Sequence, residues 1–234
     1  RIYVCAHVDD LMGIGKPEAL QAFERDIKTK YEISIQRGFK HSYIGLDITQ
    51  LRGSMKIVVS QKGFQKELVN KYSEDIKSTR PSKTPCDETI VDEPPDTDKD
   101  FSKEKYAGAV MSLMWLSRLT RCDIAFAVNV CSKRCRSPTP WSWRHVLKIL
   151  SYINRTGIYG ILYEKVPTPT FTLSCDASHG IYPSGRGQQM VILTWGSGVI
   201  SAYSRTIKLI TLSSTESEHM AVNEGCTLGM HADH

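Results

Sequence analysis

Two adjacent carboxylates near the start of the chain are the first residues whose types could do chemistry. Asp9 and Asp10 stand between the alternating segment 1–8 and the apolar run 11–15, which together predict a β-hairpin with both acids at its tip. Two carboxylates about 4 Å apart repel by about 1 kcal/mol in water. Folded proteins therefore keep such a pair in solvent or around a divalent cation. The pattern fits metal-assisted phosphoryl transfer, and it also fits an exposed hairpin turn.

A second pair of carboxylates lies near the end of the chain. Asp176 belongs to the strand-like segment 171–177, and a helix is predicted to begin near Ser214. At 100° per residue, Glu218 falls on the packed side of that helix and Glu216 on the wetter side. We expect Glu218 to point at the sheet near Asp176, whereas a capped surface helix with an unrelated Asp is the alternative.

The start of the same helix contains two possible N-cap boxes. Ser213 can pair with Glu216, and Thr215 can pair with Glu218. Because the helix geometry directs Glu218 toward the sheet, we expect Glu216 to be the capping residue.

Positive charge is concentrated in the middle of the chain. Between residues 117 and 155, eight Lys or Arg residues stand against one acid, Asp123, whereas residues 87–104 contain eight acids and two lysines. A basic surface of this size suits a polyanion, and a solvated helix face is the alternative. The candidate phosphate contacts are Arg118, Arg121, Lys133, Arg134, Arg136, Arg144 and Lys148.

Composition excludes several classes of protein. The chain has 234 residues, 41% hydrophobic and 24% charged, which is typical of a folded globular protein rather than collagen or a disordered chain. No apolar run of about 18 residues predicts a transmembrane helix. Seven scattered cysteines without a CxxC pair favour reduced thiols over a zinc site. The chain begins within a predicted strand and without Met, so we expect it to be part of a longer polypeptide.

Hydrophobic periodicity predicts the elements that position these residues. The segment 74–103 is rich in proline and acid and predicts a linker or long surface loop. Beyond the opening hairpin, helices are predicted from residue 17, over 61–72, 104–119, 123–135 and 140–155, and from 214, and strands over 43–51, 55–60, 171–177, 187–195 and 199–204.

An ordered series of motifs resembles the Ty1/copia class of retrotransposon polyproteins. The opening RIYVCAHVDDLMGIG is similar to the YVDD hairpin of reverse transcriptases, and YIGLDI is similar to the primer-grip hairpin of that class. The later segments TLSCDAS and SSTESEHMAV resemble the S-D-A and S-S-T-E-A-E-Y motifs of its ribonuclease H domain. Between them follow, in the order of that class, QKGFQKELVNKY, KTPCD, the long helical stretch 106–156 and GILY.

The resemblance implies a mixed α/β (α+β) chain in three parts. Residues 1–60 would form the C-terminal part of a polymerase palm with its primer-grip hairpin. Residues 61–166 would form the helical thumb and connection, with the acidic linker 74–103. Residues 167–234 would form the N-terminal half of a ribonuclease H-like domain.

The resemblance also implies a function. The parent protein would be an RNA-directed DNA polymerase with ribonuclease H, working with Mg²⁺ or Mn²⁺ inside the cell, in a cytoplasmic particle or the nucleus. Asp9 and Asp10 would bind the polymerase metals, and Asp176 and Glu218 the nuclease metals. The basic residues would follow an RNA–DNA hybrid or template–primer, and the intact parent would use dNTPs. No membrane partner is expected.

Each predicted site has two carboxylates, and both chemistries need more. We therefore expect these 234 residues alone neither to extend a primer nor to cut a hybrid. One alternative is a nucleic-acid-binding module without catalysis, either a degenerate element or one adopted by its host. A remote alternative is a phospho-acceptor signalling domain with Asp47 as the acceptor.

Overall fold

The computed structural model describes residues 1–95, 101–157 and 159–232. The strands are β1 (Ile2–His7), β2 (Asp10–Gly15), β3 (Lys40–Tyr43), β4 (Leu46–Leu51), β5 (Lys56–Ser60), β6 (Ile161–Glu164), β7 (Phe171–Ser178), β8 (Gln188–Trp195) and β9 (Gly198–Thr206). The α-helices are α1 (Pro17–Lys28), α2 (Lys62–Lys71), α3 (Ser73–Lys77), α4 (Lys103–Leu119), α5 (Ala125–Ser132), α6 (Pro140–Arg155) and α7 (Ser214–Ala232). This confirms the mixed α/β class.

The strands form three antiparallel sheets in the described part of the chain. β1 and β2 make a hairpin, β3 to β6 make a four-stranded sheet in sequence order, and β7 to β9 make a three-stranded meander. The strand predicted over 43–51 is divided at Ile44 and Gly45, which both have positive φ, and its first part belongs to β3. β6 was not predicted, because four residues are too few to show an alternating pattern.

Helices α2 to α6, residues 62–155, pack into what we call the helical module. Leu113, Leu116 and Ile149 are completely buried at its centre. Trp143 stacks on Phe101 with ring centroids 5.0 Å apart. Trp143 is buried, so its ring belongs to the core of the helical module.

Local sequence signals explain where several helices begin. Proline occupies the first turn of α1 and of α6, where its missing N–H removes no helical bond. Thr139 caps α6 in a reciprocal box with Ser142. These start points agree with the predicted ones.

The acidic segment is more ordered than a linker. It contains α3 and a 3₁₀ turn over Glu88–Val91, and Ile90 inserts into the core of the helical module with 1% of its surface exposed. Residues 96–100 of the predicted linker 74–103 lie outside the described residues.

The three-stranded sheet is covered on both faces. α7 packs on one face, against β7 and β8. α4 and α5 pack on the other face, where they contact β9. β6 connects this sheet to the four-stranded one, because the Tyr163 hydroxyl donates to the carbonyl of Val199 at 2.6 Å.

Two further expectations can be compared with the structure. None of the described helices has the length and apolar character needed to cross a bilayer. All seven cysteines are free thiols.

Candidate functional site: two carboxylate pairs and a basic surface

The tip of the opening hairpin presents both aspartates to solvent. β1 and β2 pair His7 with Asp10, which leaves Val8 and Asp9 as a two-residue turn. Val8 has φ of 53° and is 92% exposed. A β-branched residue in the left-handed region is strained, and such strain is concentrated at functional sites.

Tyr43 connects the base of this tip to the four-stranded sheet. Its hydroxyl donates to the Cys5 sulfur at 3.3 Å. This hydrogen bond, followed by burial and the nearby charge of Asp10, raises the pKa of Tyr43 to about 12. The Tyr43 hydroxyl therefore stays protonated and able to donate to Cys5. The sequence placed Tyr43 in a strand but did not indicate this contact.

The donor atoms at the tip fit a hard divalent cation in kind. Mg²⁺ prefers carboxylate oxygens and water in an octahedral shell. Asp9 and Asp10 supply only part of such a shell, and no group of three or more His, Cys, Asp and Glu side chains in the described part of the chain could complete one. Any further ligands must come from water, substrate or another polypeptide segment.

The second carboxylate pair is arranged differently from our expectation. Along β7, Asp176 is exposed, whereas the alternate residues Leu173 and Cys175 face α7. A Cβ on Gly225 of α7 would lie 2.3 Å from the Cys175 sulfur, so this is the face on which the helix packs. The Asp176 side chain therefore leaves β7 on the opposite face. The close approach of α7 at Gly225 decides this, and strand alternation alone does not reveal it.

Glu218 lies at the edge of the α7 packing face. It is half-buried, between the fully buried Ser217 and exposed residues. Burial, and then the nearby Cys226 and Glu218, raise the pKa of the Cys175 thiol, so Glu218 lies near β7. Because β7 is an edge strand, a cation shared with Asp176 would have to lie at that open edge.

The N-terminus of α7 confirms the predicted capping residue. The Ser213 hydroxyl accepts from the backbone N–H of Glu216 at 3.1 Å, and the Glu216 carboxylate accepts from the N–H of Leu212 at 2.7 Å. This arrangement leaves Glu218 outside the cap.

A hydrogen-bonded cluster that sequence reasoning missed fixes α7 to the end of β7. The His179 Nδ1 atom lies 2.9 Å from the Thr211 hydroxyl and 3.2 Å from the Ser217 hydroxyl. Thr211 and Ser217 are buried and 2.7 Å apart. The cluster holds the first turn of α7, and with it Glu218, against the sheet. His179 lies more than 30 residues before Thr211 and Ser217, so no local motif indicates the cluster.

Arg121 is not a surface residue, which corrects its prediction as a phosphate contact. Its side chain is 1% exposed. The guanidinium makes two bonds to the Asp123 carboxylate and two to Thr156, and a further one to Gln65. All of its donor directions point into the protein, so no phosphate can reach it.

Three other predicted cations, Arg134, Lys133 and Lys148, contact groups of the same chain. Arg134 donates to the carbonyls of Ile90 and Asp92, both at 2.7 Å. Lys133 lies 3.5 Å from the centroid of the Tyr182 ring, and burial lowers its pKa to about 8.

Lys148 forms an ion pair with Asp87 and is only partly exposed. Arg118, Lys133, Arg136 and Arg144 are exposed. The predicted basic surface is therefore smaller than the charge count indicates.

Comparison with known proteins gives relatives at low identity. The chain is 27% identical over 236 aligned residues to the Retrovirus-related Pol polyprotein from transposon TNT 1-94 of Nicotiana tabacum, covering 95% of the chain and 17% of that protein. It is 24% identical to the putative transposon Ty5-1 protein of Saccharomyces cerevisiae, covering 95% of the chain and 72% of that protein. No family model matches, and no solved structure matches.

Another relative covers only part of the chain. A secreted RxLR effector protein 161 of Plasmopara viticola is 32% identical over 120 residues, which are 51% of the chain and 84% of that protein. The chain spans about a sixth of the length of the tobacco polyprotein and of the RE2 polyprotein of Arabidopsis thaliana, to which it is 26% identical.

Proposed function

We propose that this chain, which is similar to retrotransposon Pol polyproteins, forms part of an RNA-directed DNA polymerase with ribonuclease H. In this proposal it contributes carboxylates to both metal sites and cations to the binding of template and primer. The observation that carries it is the hairpin whose exposed tip holds Asp9 and Asp10.

At the hairpin tip, the two aspartates would hold the cations of the polymerase site. Bound Mg²⁺ or Mn²⁺ would supply activation of the attacking oxygen and stabilisation of the leaving one. Asp10 is directed by its pairing with His7, and Tyr43 supports the hairpin through Cys5. These contacts would fix one wall of the site, and the remaining ligands would come from elsewhere.

At the three-stranded sheet, Asp176 and Glu218 would hold the cations of the nuclease site. Because Asp176 leaves β7 on the face away from α7, a shared site requires both side chains to reach the edge of β7, where no described strand blocks access. The His179 cluster would position α7 for this purpose.

The exposed cations support a second candidate function that does not require catalysis. Arg118 and Arg144 lie on α4 and α6 of the helical module, and Lys133 and Arg136 follow α5, so all four are separate in sequence from the four carboxylates. A chain without catalytic activity would still have this basic surface. We expect binding of an RNA–DNA hybrid to weaken at least about tenfold between 50 and 200 mM salt, because phosphate contacts release counterions.

Metal binding provides the direct test of the carboxylate pairs. Electron paramagnetic resonance of Mn²⁺ should show weak binding that is lost in part in Asp9→Asn/Asp10→Asn and in part in Asp176→Asn/Glu218→Gln. Asp26→Asn removes an exposed carboxylate from α1 and serves as the control. Binding that is unchanged in both double variants would contradict the proposed sites.

Turnover tests the expectation that the chain alone is inactive. Primer extension and hybrid cleavage should both be at background with Mg²⁺. Strong metal-dependent activity that Asp9→Asn or Asp176→Asn abolishes would show that the chain already contains a complete site.

A further inference from the structure

An open cleft of about 520 Å³ lies between the acidic segment and the N-terminal half of α6. Ligand pockets in proteins are of about this size, roughly 300–1,000 Å³. Neither carboxylate pair lines it. The cleft is therefore a site separate from both carboxylate pairs.

Four cations line the cleft, together with three acids, Asp87, Asp92 and Glu93, on the wall that the acidic segment forms. Arg80 and Lys83 come from the loop after α3, and Arg144 and Lys148 lie one turn apart on α6. Arg80, Lys83 and Arg144 are exposed, so their charges are available to a ligand. Cations in this arrangement, on two walls of one cleft, suit an anion with several charged groups better than a single carboxylate.

Trp141 and His145 give the cleft a rigid aromatic wall. Their ring centroids are 4.4 Å apart, and the Arg134 guanidinium lies 4.6 Å from the Trp141 centroid. Arg134 is in turn fixed by the carbonyls of Ile90 and Asp92. A flat, fixed ring beside cations is suited to a nucleotide sugar or base.

Within the cleft, the Asp87 carboxylate already forms an ion pair with one of the cations, Lys148. Its carboxylate accepts from Lys148, and this bond lowers the pKa of Asp87. Asp87 is itself exposed, so the pair is a surface ion pair, and such pairs contribute little to stability. A phosphate could replace this carboxylate at little cost.

We propose that this cleft binds the sugar–phosphate backbone of one nucleic acid strand, and that Asp87 competes with the strand for Lys148. The proposal rests on the proposed function, because it assumes that the chain binds nucleic acid. It adds the location of the contact and an internal competitor that weakens it.

Fluorescence anisotropy with a labelled RNA–DNA hybrid tests both parts. Arg144→Gln/Lys148→Gln should weaken binding about tenfold at 50 mM salt and reduce the salt slope by about 2. Asp87→Asn should strengthen binding about threefold, because Lys148 loses its competitor. The matched control is Lys62→Gln/Lys66→Gln, which removes the same charge from exposed positions of α2 and should change affinity less than twofold.

The outcomes separate this inference from the proposed function. If the wild-type chain binds and Arg144→Gln/Lys148→Gln behaves like the α2 control, the cleft is not the binding site and the proposed function stands. If the wild-type chain does not bind, both fail. If Asp87→Asn leaves the affinity for the hybrid unchanged, Asp87 does not compete for Lys148 and that part of the proposal is wrong. If adenosine monophosphate displaces the hybrid at equal phosphate concentration, the cleft is a mononucleotide pocket and the strand assignment is overturned.

Discussion

The helical module and the opening hairpin differ in how they are stabilised. In the module, Leu113 and Leu116 are completely buried, whereas Tyr3 and Ile14 of the hairpin are 62% and 64% exposed. A two-stranded hairpin is marginally stable by itself. Stability is thus concentrated in the module, while Asp9 and Asp10 lie on an element with little core of its own.

The hairpin depends on a few contacts with its neighbours. Leu20 of α1 packs over Gly13, where an added Cβ would lie 3.2 Å from the leucine side chain. The hydrogen bond from Tyr43 to Cys5 joins the hairpin to the four-stranded sheet. A site built this way can be reoriented by what packs against it, and a site inside the module could not.

Removing a core side chain should give the largest difference between the two regions. Leu113→Ala should lower the free energy of unfolding by about 3 kcal/mol, because it leaves a cavity in a fully packed core. Ile14→Ala, at an exposed hairpin position, should change it by less than about 0.5 kcal/mol. Urea titration followed by circular dichroism measures both, and equal losses would contradict the comparison.

Removing the buried Arg121 guanidinium should have the second-largest effect on the free energy of unfolding. Arg121→Ala should cost about 3 kcal/mol, since it removes the partner of Gln65, Asp123 and Thr156 in a buried network. The control Arg118→Gln removes a charge at an exposed position of the same module. If Arg121→Ala reduced hybrid affinity at unchanged stability, the original assignment of Arg121 to phosphate binding would be restored.

His145 makes the stability of the module depend on pH. Burial, and then the charge of Arg134, lowers the pKa of His145 to about 4, so the unfolded chain binds its proton more tightly than the folded one. The contribution is complete above about pH 6.5 and is lost as the pH falls toward 4, on the order of 2 kcal/mol. Unfolding at pH 7 and pH 5 should therefore differ less in His145→Gln than in the wild type. Identical pH profiles would show that His145 is not responsible.

The smallest expected effect concerns the hairpin. Tyr43→Phe removes the hydroxyl that donates to Cys5 and should cost less than about 1 kcal/mol in global stability. Amide hydrogen exchange along β1 and β2 should nevertheless become faster, while exchange in α4 stays unchanged. Unchanged exchange in the hairpin would show that Tyr43 does not support it.

Local patterns predicted most elements, and long-range packing explains what they missed. Proline at residues 17 and 140 marked two helix starts, and helical geometry separated Glu216 from Glu218 correctly. Counting charges could not show that Arg121 turns inward, because its partners lie up to 56 residues away. Alternation placed Asp176 on one face of β7 but carries no information about which face α7 covers.

The pairing of β5 with β6 brings Val59 beside Ile161. Gly160 permits this approach, because a Cβ there would lie 2.6 Å from the carbonyl oxygen of Val59. The hundred or so residues between them therefore begin and end on neighbouring strands. Because α4 and α5 of this segment also pack on β9, removing the segment would expose one face of the three-stranded sheet.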